Sequence, residues 1–340
     1  MAPLVDSLGR PLRNLRLSVT DRCNLRCQYC MPEQDYVWLP RADVLRFEEM
    51  IRLVDIFIDL GIEKVRLTGG EPLLRRNTPA LVSMLAARPA IQEIALTTNG
   101  ILLGALASEL KASGLHRVTV SLDTLRADRF REIARQDALP AVLQAIDVAR
   151  DVFGQLKLDA VVVRGMNDDE IAPLMAFALE HDAEIRFIEY MDVGGATNWS
   201  FDKVVSREEM LDVIGRAYGP VEAIAEETSA PAQRFRLADG TVFGIVASTT
   251  TPFCRTCDRS RLTADGMWFK CLYAAHGLDL RAPLRGGATD DELRELLRGA
   301  WEARDDRGAE RRLEERNRTT FVARETLLRN PHLEMHTRGG

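Results

Sequence analysis

The chain has 340 residues, and its 45 lysines and arginines against 51 aspartates and glutamates give a net charge of −6, which argues against a dedicated nucleic-acid-binding protein. Apolar residues make up 46% and charged residues 28%, a balance that is typical of globular proteins and excludes a disordered or collagen-like chain. The length exceeds the ~250–300 residues at which a single core stops growing, so we expect one large domain with an elaboration.

The N-terminal segment gives no sign of export. Residues 1–16 contain no apolar stretch of the kind found in signal peptides, because Asp6, Arg10 and Arg13 interrupt them. No uninterrupted apolar run approaches the roughly 18 residues that span a bilayer, so we predict no membrane segment. We therefore expect a cytoplasmic protein, in which clustered cysteines bind metal more often than they form disulfides.

The first two-thirds of the chain alternate short β-branched runs with amphipathic stretches. Strands are predicted at residues 15–19, 64–68, 93–97, 117–122, 157–163 and 184–190. Helices are predicted between them, at residues 47–60, 79–87, 105–113, 139–152 and 169–181. This alternation implies an α/β fold with a parallel sheet, and its six units favour an incomplete (β/α)6 barrel of the TIM type. The sequence contains neither G-x-G-x-x-G nor a P-loop motif, which weakens Rossmann and P-loop interpretations.

The pattern changes after the sixth predicted strand. Two Asp-Gly pairs, at residues 239–240 and 265–266, each separate short apolar runs, which is a strong signal for a β-hairpin. Residues 290–316 form a highly charged stretch, for which we predict a solvated helix face. We therefore divide the chain into a barrel core at residues 1–200 and, at residues 201–340, an extension with antiparallel β structure and a helical tail.

Three of the six cysteines form a first triad, Cys23, Cys27 and Cys30, with the spacing C-x3-C-x2-C. The triad follows the first predicted strand, and in a βα barrel the loop after a strand lies at the mouth where active sites are built. Three thiolates can hold three corners of a [4Fe–4S] cluster and leave one iron open for a ligand that is not protein. A zinc site is the alternative, although zinc favours four ligands.

With Tyr29 directly before its last cysteine, the first triad resembles that of the radical S-adenosylmethionine (SAM) superfamily. Residues 68–72, Thr-Gly-Gly-Glu-Pro, follow the second predicted strand and support the resemblance, since glycines there allow close approach of backbone to a ligand. The resemblance implies that SAM chelates the open iron and that an electron from the cluster cleaves it to methionine and a 5′-deoxyadenosyl radical. It also implies SAM contacts from Tyr29, Gly70, Ser121 and Met191.

The other three cysteines form a second triad, Cys254, Cys257 and Cys271, with the spacing C-x2-C-x13-C. Again no fourth cysteine is near, so a second [4Fe–4S] cluster with an open iron is the economical interpretation. A zinc ribbon is the alternative, with His276 as the one nearby residue that could complete it.

The two triads together resemble the molybdenum cofactor biosynthesis protein A family, the GTP 3′,8-cyclases, over residues 12–340. The resemblance includes residues 64–73, 96–100, 120–123, 185–194 and 257–262. It implies that the 5′-deoxyadenosyl radical abstracts hydrogen from C3′ of GTP and that the carbon radical attacks C8 of guanine. The product would be 3′,8-cyclo-7,8-dihydro-GTP, the first intermediate of molybdenum cofactor synthesis, with the second cluster positioning the guanine base.

The resemblance also implies a set of GTP contacts. These positions are Arg16, Arg66, Thr97, Lys157, Arg259, Ser260 and Arg261. A triphosphate that is bound without a P-loop needs side-chain cations, and arginine provides the forked contact that suits phosphate. Asp159 stands where family members often have asparagine, which leaves any contact from that position open.

Further implications concern partners and the C-terminus. The resemblance implies cyclic pyranopterin monophosphate synthase as the next enzyme, and we expect a homodimer that binds neither nucleic acid nor membrane. Composition predicts a disordered end, whereas the resemblance implies that Gly339 and Gly340 reach the active site. We interpret His332 and His336 as a solvated tail rather than a metal pair. A peptide-modifying radical SAM maturase and a zinc-binding structural or RNA-interaction module remain as alternatives.

Overall fold

The fold is known from a computed structural model that describes residues 4–226 and 228–339. Its strands form one mixed twelve-stranded sheet. In chain order they are β1 (Asn14–Ser18), β2 (Lys64–Thr68), β3 (Glu93–Thr98), β4 (Arg117–Ser121), β5 (Leu156–Val162), β6 (Ala183–Glu189), β7 (Val221–Ala223), β8 (Gln233–Leu237), β9 (Val242–Val246), β10 (Arg259–Leu262), β11 (Met267–Phe269) and β12 (Leu278–Asp279). All six strands predicted for the first two-thirds of the chain are present, with ends that differ by at most one residue.

The sheet has a parallel centre and antiparallel margins. Its order is β12-β11-β10-β1-β2-β3-β4-β5-β6-β9-β8-β7. Neighbouring strands from β1 to β6 are parallel, β10 pairs parallel with β1, and β9 pairs parallel with β6. The hairpins β8–β9 and β10–β11 lie where the sequence has its two Asp-Gly pairs. Strands from the C-terminal part of the chain therefore extend both ends of the parallel centre.

The helices lie between and after the strands. They are α1 (Phe47–Asp59), α2 (Thr78–Ala86), α3 (Leu103–Ala112), α4 (Ala127–Ala134), α5 (Leu139–Phe153), α6 (Ile171–Glu180), α7 (Arg207–Tyr218), α8 (Arg281–Arg285), α9 (Asp290–Glu302), α10 (Gly308–Leu313), α11 (Arg324–Arg329) and α12 (Met335–Arg338). The sequence reasoning missed α4, which is mostly polar, and α7. For α7 a signal existed, since Ser206 and Glu209 form the capping box that often begins a helix. Within residues 4–226 and 228–339, no helix has both the length and the apolar character needed to cross a bilayer.

Periodicity decides which side chains enter the core and which face the opposite way. Helix α1 buries Met50, Leu53, Val54 and Phe57, the i, i+3, i+4, i+7 pattern of one helix face. Strand β5 alternates fully buried apolar residues with the partly exposed positions 157, 159 and 161. The same alternation along the other parallel strands leaves one row of side chains per strand free to line a cavity.

Two expectations about the C-terminal region are wrong. Residues 290–316 do not form only a solvated helix face, because Arg304 and Arg312 are buried. The end of the chain is not solvated either: His336 and Arg338 are buried, and Arg338 donates to the carbonyl oxygens of Leu272 (2.6 Å) and Ala274 (2.7 Å). Composition misleads here because the partners of these charged residues lie far away in the sequence. Gly340 lies outside the described residues.

We predict that replacing Trp301 with alanine lowers the free energy of unfolding by about 3–5 kcal/mol. Trp301 of α9 is fully buried, its ring lies 6.2 Å from that of Trp268 in β11, and Trp268 lies 5.5 Å from Phe57 of α1. The substitution therefore opens a cavity where the C-terminal region packs on the parallel centre. Denaturant titration measures the loss.

The matched control is Leu296→Ala, on the exposed face of the same helix. We expect a change below about 0.5 kcal/mol for this variant. Similar losses in both variants would contradict the prediction.

Candidate active site

One large cavity, of about 640 Å³, contains nearly all of the predicted site residues in its lining. Those in the lining are Arg16, Cys23, Cys27, Tyr29, Cys30, Arg66, Gly70, Thr97, Ser121, Lys157, Met191, Cys254, Cys257, Arg259, Arg261 and Cys271. Ser260 is not among them. It alternates with Arg259 and Arg261 along β10, so its buried side chain points away from the cavity.

The first triad lies in the loop between β1 and α1, and backbone hydrogen bonds hold this loop against α4. The N–H groups of Arg26 and Gln28 donate to the carbonyl oxygens of Ala134 and Ile133, both at 3.0 Å. Burial raises the pKa of the Cys23, Cys27 and Cys30 thiols, so without a cation they are neutral. Metal coordination would deprotonate them.

The turn after β2 approaches this loop so closely that only glycine fits. The Gly70 N–H donates to the Thr20 carbonyl oxygen at 2.9 Å, and the Glu71 N–H donates to the Arg22 carbonyl oxygen at 2.8 Å. A Cβ on Gly70 would lie 2.3 Å from the Arg22 oxygen, and one on Gly69 would lie 2.3 Å from the Thr20 oxygen. The two glycines therefore join the turn to the loop that carries the first triad.

Glu71 fixes the position of this turn, a role that the sequence reasoning did not assign to it. Its buried carboxylate accepts hydrogen bonds from the Leu73 N–H (3.0 Å), the Thr98 hydroxyl (2.8 Å) and the Asn99 N–H (2.7 Å). Asn99 in turn donates to the Asn24 side chain at 2.8 Å, inside the first triad. Burial outweighs these hydrogen bonds and raises the pKa of Glu71 to about 7.

Asp123 is a second residue of the site that the sequence reasoning did not assign, although it lies in the quoted segment 120–123. The Tyr29 hydroxyl donates to one of its oxygens at 2.7 Å, and the Val161 N–H donates to the other at 2.9 Å. Burial raises the pKa of Asp123 to about 6. The carboxylate joins the first triad to the end of β4 and to β5.

Three arginines stand side by side on adjacent strands. In the register of β10, β1 and β2, Arg261 lies opposite Arg16, and Arg16 lies opposite Arg66. Like charges directly opposite each other destabilise a sheet. Burial lowers the pKa of Arg16, and the nearby guanidiniums of Arg261, Arg66 and Arg259 lower it further. This arrangement favours an anion in the cavity, which would neutralise the row.

Charged side chains of the parallel strands, including Arg66 of the row, have protein partners. Arg66 donates to the hydroxyls of Thr97 and Thr119, both at 3.2 Å. The Lys157 ammonium lies 2.5 Å from a Glu184 carboxylate oxygen. These contacts supply the partner that a charge inside an apolar strand needs.

Asp159, which stands where asparagine is common in the family that the sequence resembles, has a clear role in the structure. The Asp159 carboxylate accepts from the Nε of Arg186 at 2.7 Å, and both residues line the cavity. Arg186, Arg117 and Lys270 add cations to the lining that were not among the predicted contacts, and Lys64, a further phosphate contact considered from the sequence, also lines the cavity. A single charged residue in a strand carries little signal, which is why sequence reasoning passed over the first three.

The second triad is assembled by the β10–β11 hairpin, since Cys257 precedes β10 and Cys271 follows β11. An Arg304 guanidinium nitrogen lies 3.5 Å from the Cys257 sulfur and donates to it. Burial alone would raise the pKa of Cys257, but Arg259 and Arg304 outweigh it and lower that pKa to about 7. The surroundings of Cys257 thus favour a thiolate, which is the form that binds iron.

Each triad offers the donors that hold a cubane cluster. In such a cluster each cysteine thiolate binds a different iron, and all six cysteines line the cavity. Among residues 4–226 and 228–339, no three His, Cys, Asp or Glu side chains are arranged to hold a single metal ion. The spacing of each triad, with three thiols facing the cavity, leaves one corner of such a cluster to a ligand from the cavity.

The C-terminal segment closes against this cavity. His336 lines it and packs edge-on against Tyr36 and Trp38 of the first-triad loop, with ring centroids 5.1 and 5.4 Å apart. Gly339 lies against Thr68, and its carbonyl oxygen accepts a hydrogen bond from Arg261. The described end of the chain therefore contacts Thr68, which begins the Thr-Gly-Gly-Glu-Pro segment after β2, and Arg261 of the arginine row.

Comparisons with known proteins agree with this geometry. Residues 17–178 match the model of the radical SAM superfamily, and residues 183–310 match that of Molybdenum Cofactor Synthesis C. The chain is 53% identical to GTP 3′,8-cyclase 3 of Mycobacterium bovis over 100% of its own length and 91% of the relative. It is 52% identical to GTP 3′,8-cyclase 1 of Mycobacterium tuberculosis over 98% and 95%. The chain belongs to the GTP 3′,8-cyclase family.

A solved structure supports the fold. The crystal structure of Streptococcus suis SuiB bound to S-adenosylmethionine superposes with a TM-score of 0.58 at 15% identity, over 91% of this chain and 68% of that chain. The radical SAM α/β fold with a mixed sheet is thus confirmed. Family membership also confirms a radical SAM enzyme of molybdenum cofactor synthesis, with SAM and [4Fe–4S] clusters as its cofactors.

We predict that Gly70→Ala lowers the iron bound by the first triad and destabilises the fold by about 1–3 kcal/mol. The reason is the 2.3 Å approach of the new Cβ to the Arg22 oxygen, which displaces the loop. Iron analysis after anaerobic reconstitution and thermal unfolding measure the two effects.

Gly215→Ala serves as the control, because a Cβ there meets nothing within 4 Å and the residue lies inside α7. This variant should keep the wild-type iron content. Wild-type iron content and stability in Gly70→Ala would show that the close approach is not required.

Proposed function

We propose that this chain catalyses the GTP 3′,8-cyclase reaction in the large cavity described above, with SAM and the first triad at one side and GTP and the second triad at the other. The observation that carries the proposal is that both triads and the row of three arginines line the same cavity. A small anion in contact with the arginine row would lie between the two sets of thiols. This arrangement suits a reaction that joins two small-molecule ligands.

The SAM side is the first triad with its supporting turn. Cys23, Cys27 and Cys30 would hold a [4Fe–4S] cluster, and Gly70 and Tyr29 would contact SAM, with Ser121 and Met191 further along the lining. When bound, the cluster and SAM supply a carbon-centred radical that removes the C3′ hydrogen of GTP and so leads to the C3′–C8 bond. The buried Glu71 and Asp123 carboxylates hold the turn and Tyr29 in place for this contact.

The GTP side is the second triad with the cations beside it. Cys254, Cys257 and Cys271 would hold the second [4Fe–4S] cluster, which would position the guanine base. Arginine suits phosphate because its fork makes two parallel charge-assisted hydrogen bonds. We assign Arg16, Arg66, Arg259 and Arg261 to the triphosphate and ribose, with Thr97 and Lys157 as further contacts. Ser260 points away from the cavity, so we assign it a role only through its backbone.

We further propose that the six parallel strands β1–β6 curve into the incomplete (β/α)6 barrel. Support comes from Arg16 of β1, Ser121 of β4 and Arg186 of β6, which all line one cavity although they lie on distant strands. The division into residues 1–200 and 201–340 remains our proposal for the domains. It is close to the point between residues 178 and 183 where the two family matches meet.

Family membership supports a proposal for the substrate and partners. We propose GTP as the substrate and cyclic pyranopterin monophosphate synthase as the enzyme that receives the product. We also propose a homodimer in solution and a cytoplasmic location.

After its clusters have been reconstituted and reduced under anaerobic conditions, the protein should consume GTP and release 5′-deoxyadenosine when SAM is supplied. It should contain about eight irons per chain, as expected for two cubane clusters. Chromatography of the nucleosides and iron and sulfide analysis measure these outcomes. Zinc in place of iron would overturn the cluster assignment. Survival of GTP while a peptide supports SAM cleavage would instead identify a peptide-modifying maturase.

The Arg259→Ala, Arg261→Ala double variant should bind GTP about tenfold or more weakly, because two charge-assisted contacts are lost. Its iron content should stay near the wild-type level, since neither residue supplies a thiol and Arg304, which also favours the Cys257 thiolate, is retained. Arg255→Ala is the matched control, because Arg255 lies in the same segment but is exposed and outside the cavity lining. Equilibrium binding measurements on anaerobic protein give the affinity for GTP. Unchanged affinity in the double variant would refute the assignment of Arg259 and Arg261 as GTP contacts.

A further inference from the structure

Three charged residues are buried together behind the second triad, away from the proposed GTP contacts. Asp6, Arg10 and Arg304 are at most 5% exposed. Asp6 accepts from the Nε of Arg10 at 2.7 Å and from an Nη of Arg304 at 3.2 Å. Two segments about 300 residues apart in sequence thus form one ionic group.

This group contacts the second triad directly. Arg304 donates to the Cys257 sulfur at 3.5 Å and to the Cys257 carbonyl oxygen at 2.9 Å. Arg10 donates to the carbonyl oxygens of Cys254 at 2.9 Å and of Asp306 at 2.7 Å. The guanidiniums therefore hold the backbone of two cysteines, and one of them also reaches a sulfur.

The two carboxylates near Arg304 differ in burial. Asp6 is buried and pairs with both guanidiniums, whereas Asp306 is partly exposed and its carboxylate oxygen lies 3.9 Å from the Arg304 Nε. A positive charge that is buried with weak compensation costs free energy. A [4Fe–4S]²⁺ core held by three thiolates carries a single net negative charge. Such a cluster on the second triad would stabilise the Arg304 guanidinium further.

We propose that Arg304 is a positioning residue that sets the reduction potential of the second cluster, with Asp6 as its counter-charge; this inference rests on the proposed function. A hydrogen bond to a ligand sulfur and a nearby positive charge both stabilise the more negative, reduced state of a cluster. Loss of the Arg304 guanidinium therefore lowers the potential. Loss of the Asp6 charge leaves Arg304 and Arg10 unbalanced and raises it.

The opposite signs separate this role from a structural one. If these residues only supported the fold, removal of either partner of the ion pair would shift the reduction potential of the cluster in the same direction. The test therefore uses two substitutions. Asp6→Asn keeps the size of the side chain and part of its hydrogen bonding but removes the negative charge. Arg304→Met keeps most of the length of the side chain but removes the positive charge. Arg298→Met is the matched control, because Arg298 belongs to α9 and pairs only with Glu295 on the exposed surface among the contacts of the described residues.

The experiment uses the full-length chain with Cys23, Cys27 and Cys30 replaced by serine, so that only the second cluster remains. Its iron content is measured first, and its potential is then obtained by redox titration followed by electron paramagnetic resonance. We expect a more negative potential in Arg304→Met, a more positive one in Asp6→Asn, and the parent value in Arg298→Met.

Each outcome bears on one of the two proposals. Absence of iron in the parent would overturn the proposed second cluster itself. With the cluster present, unchanged potentials or shifts of the same sign in both variants would overturn the role of Arg304. If Arg304→Met does not fold, the sign of the shift in Asp6→Asn decides. Failure of both variants to hold the cluster would identify the group as structural and overturn the inference.

Discussion

The row formed by Arg261, Arg16 and Arg66 on adjacent strands is the constraint on which the rest of the site depends. Guanidiniums directly opposite each other in a sheet repel, and burial increases the cost, as the lowered pKa of Arg16 records. Asp159, which pairs with Arg186, also raises the pKa of Arg16 and so offsets part of this repulsion. The row still concentrates positive charge at one place, in a chain whose net charge is negative. Such a concentration attracts an anionic ligand, which is the physical basis for proposing a nucleotide in this cavity.

Close backbone contact between the turn after β2 and the first-triad loop holds that loop in a fixed position before any cluster binds. The loop of the first triad has little regular structure of its own. It is held through Gly69 and Gly70 on one side and through the Tyr29–Asp123 hydrogen bond on the other. The buried carboxylates of Glu71 and Asp123 provide the fixed points because each accepts hydrogen bonds from two or more segments of the chain. The geometry of the loop thus depends on residues that need not touch a ligand.

The C-terminal region completes the site through buried ion pairs. Asp192, directly after Met191, accepts from Arg312, Arg318 and the Tyr273 hydroxyl at 2.6–2.9 Å, so the end of β6, the second triad and residues 312–318 share one carboxylate. Asp6 plays a similar part for Arg10 and Arg304. Such pairs add less stability than their number suggests, because desolvation offsets the attraction. They do fix which segments meet, and here the segments that meet are those around the cysteines.

Local patterns in the sequence determined much of this protein. The alternation of strand and helix patterns predicted β1–β6 to within a residue, because hydrophobic periodicity is a local property. The cysteine spacings predicted two three-thiol sites, and the motifs around Gly70 and Cys257 indicated the family. Tertiary structure alone decided which charges are buried and what they contact. Each of four such residues has a partner far away in the sequence: Asp6 for Arg304, Asp192 for Arg312, Leu272 for Arg338 and Arg186 for Asp159. No local pattern distinguishes such a residue from a solvated one, because burial and pairing depend on which distant segments fold against it.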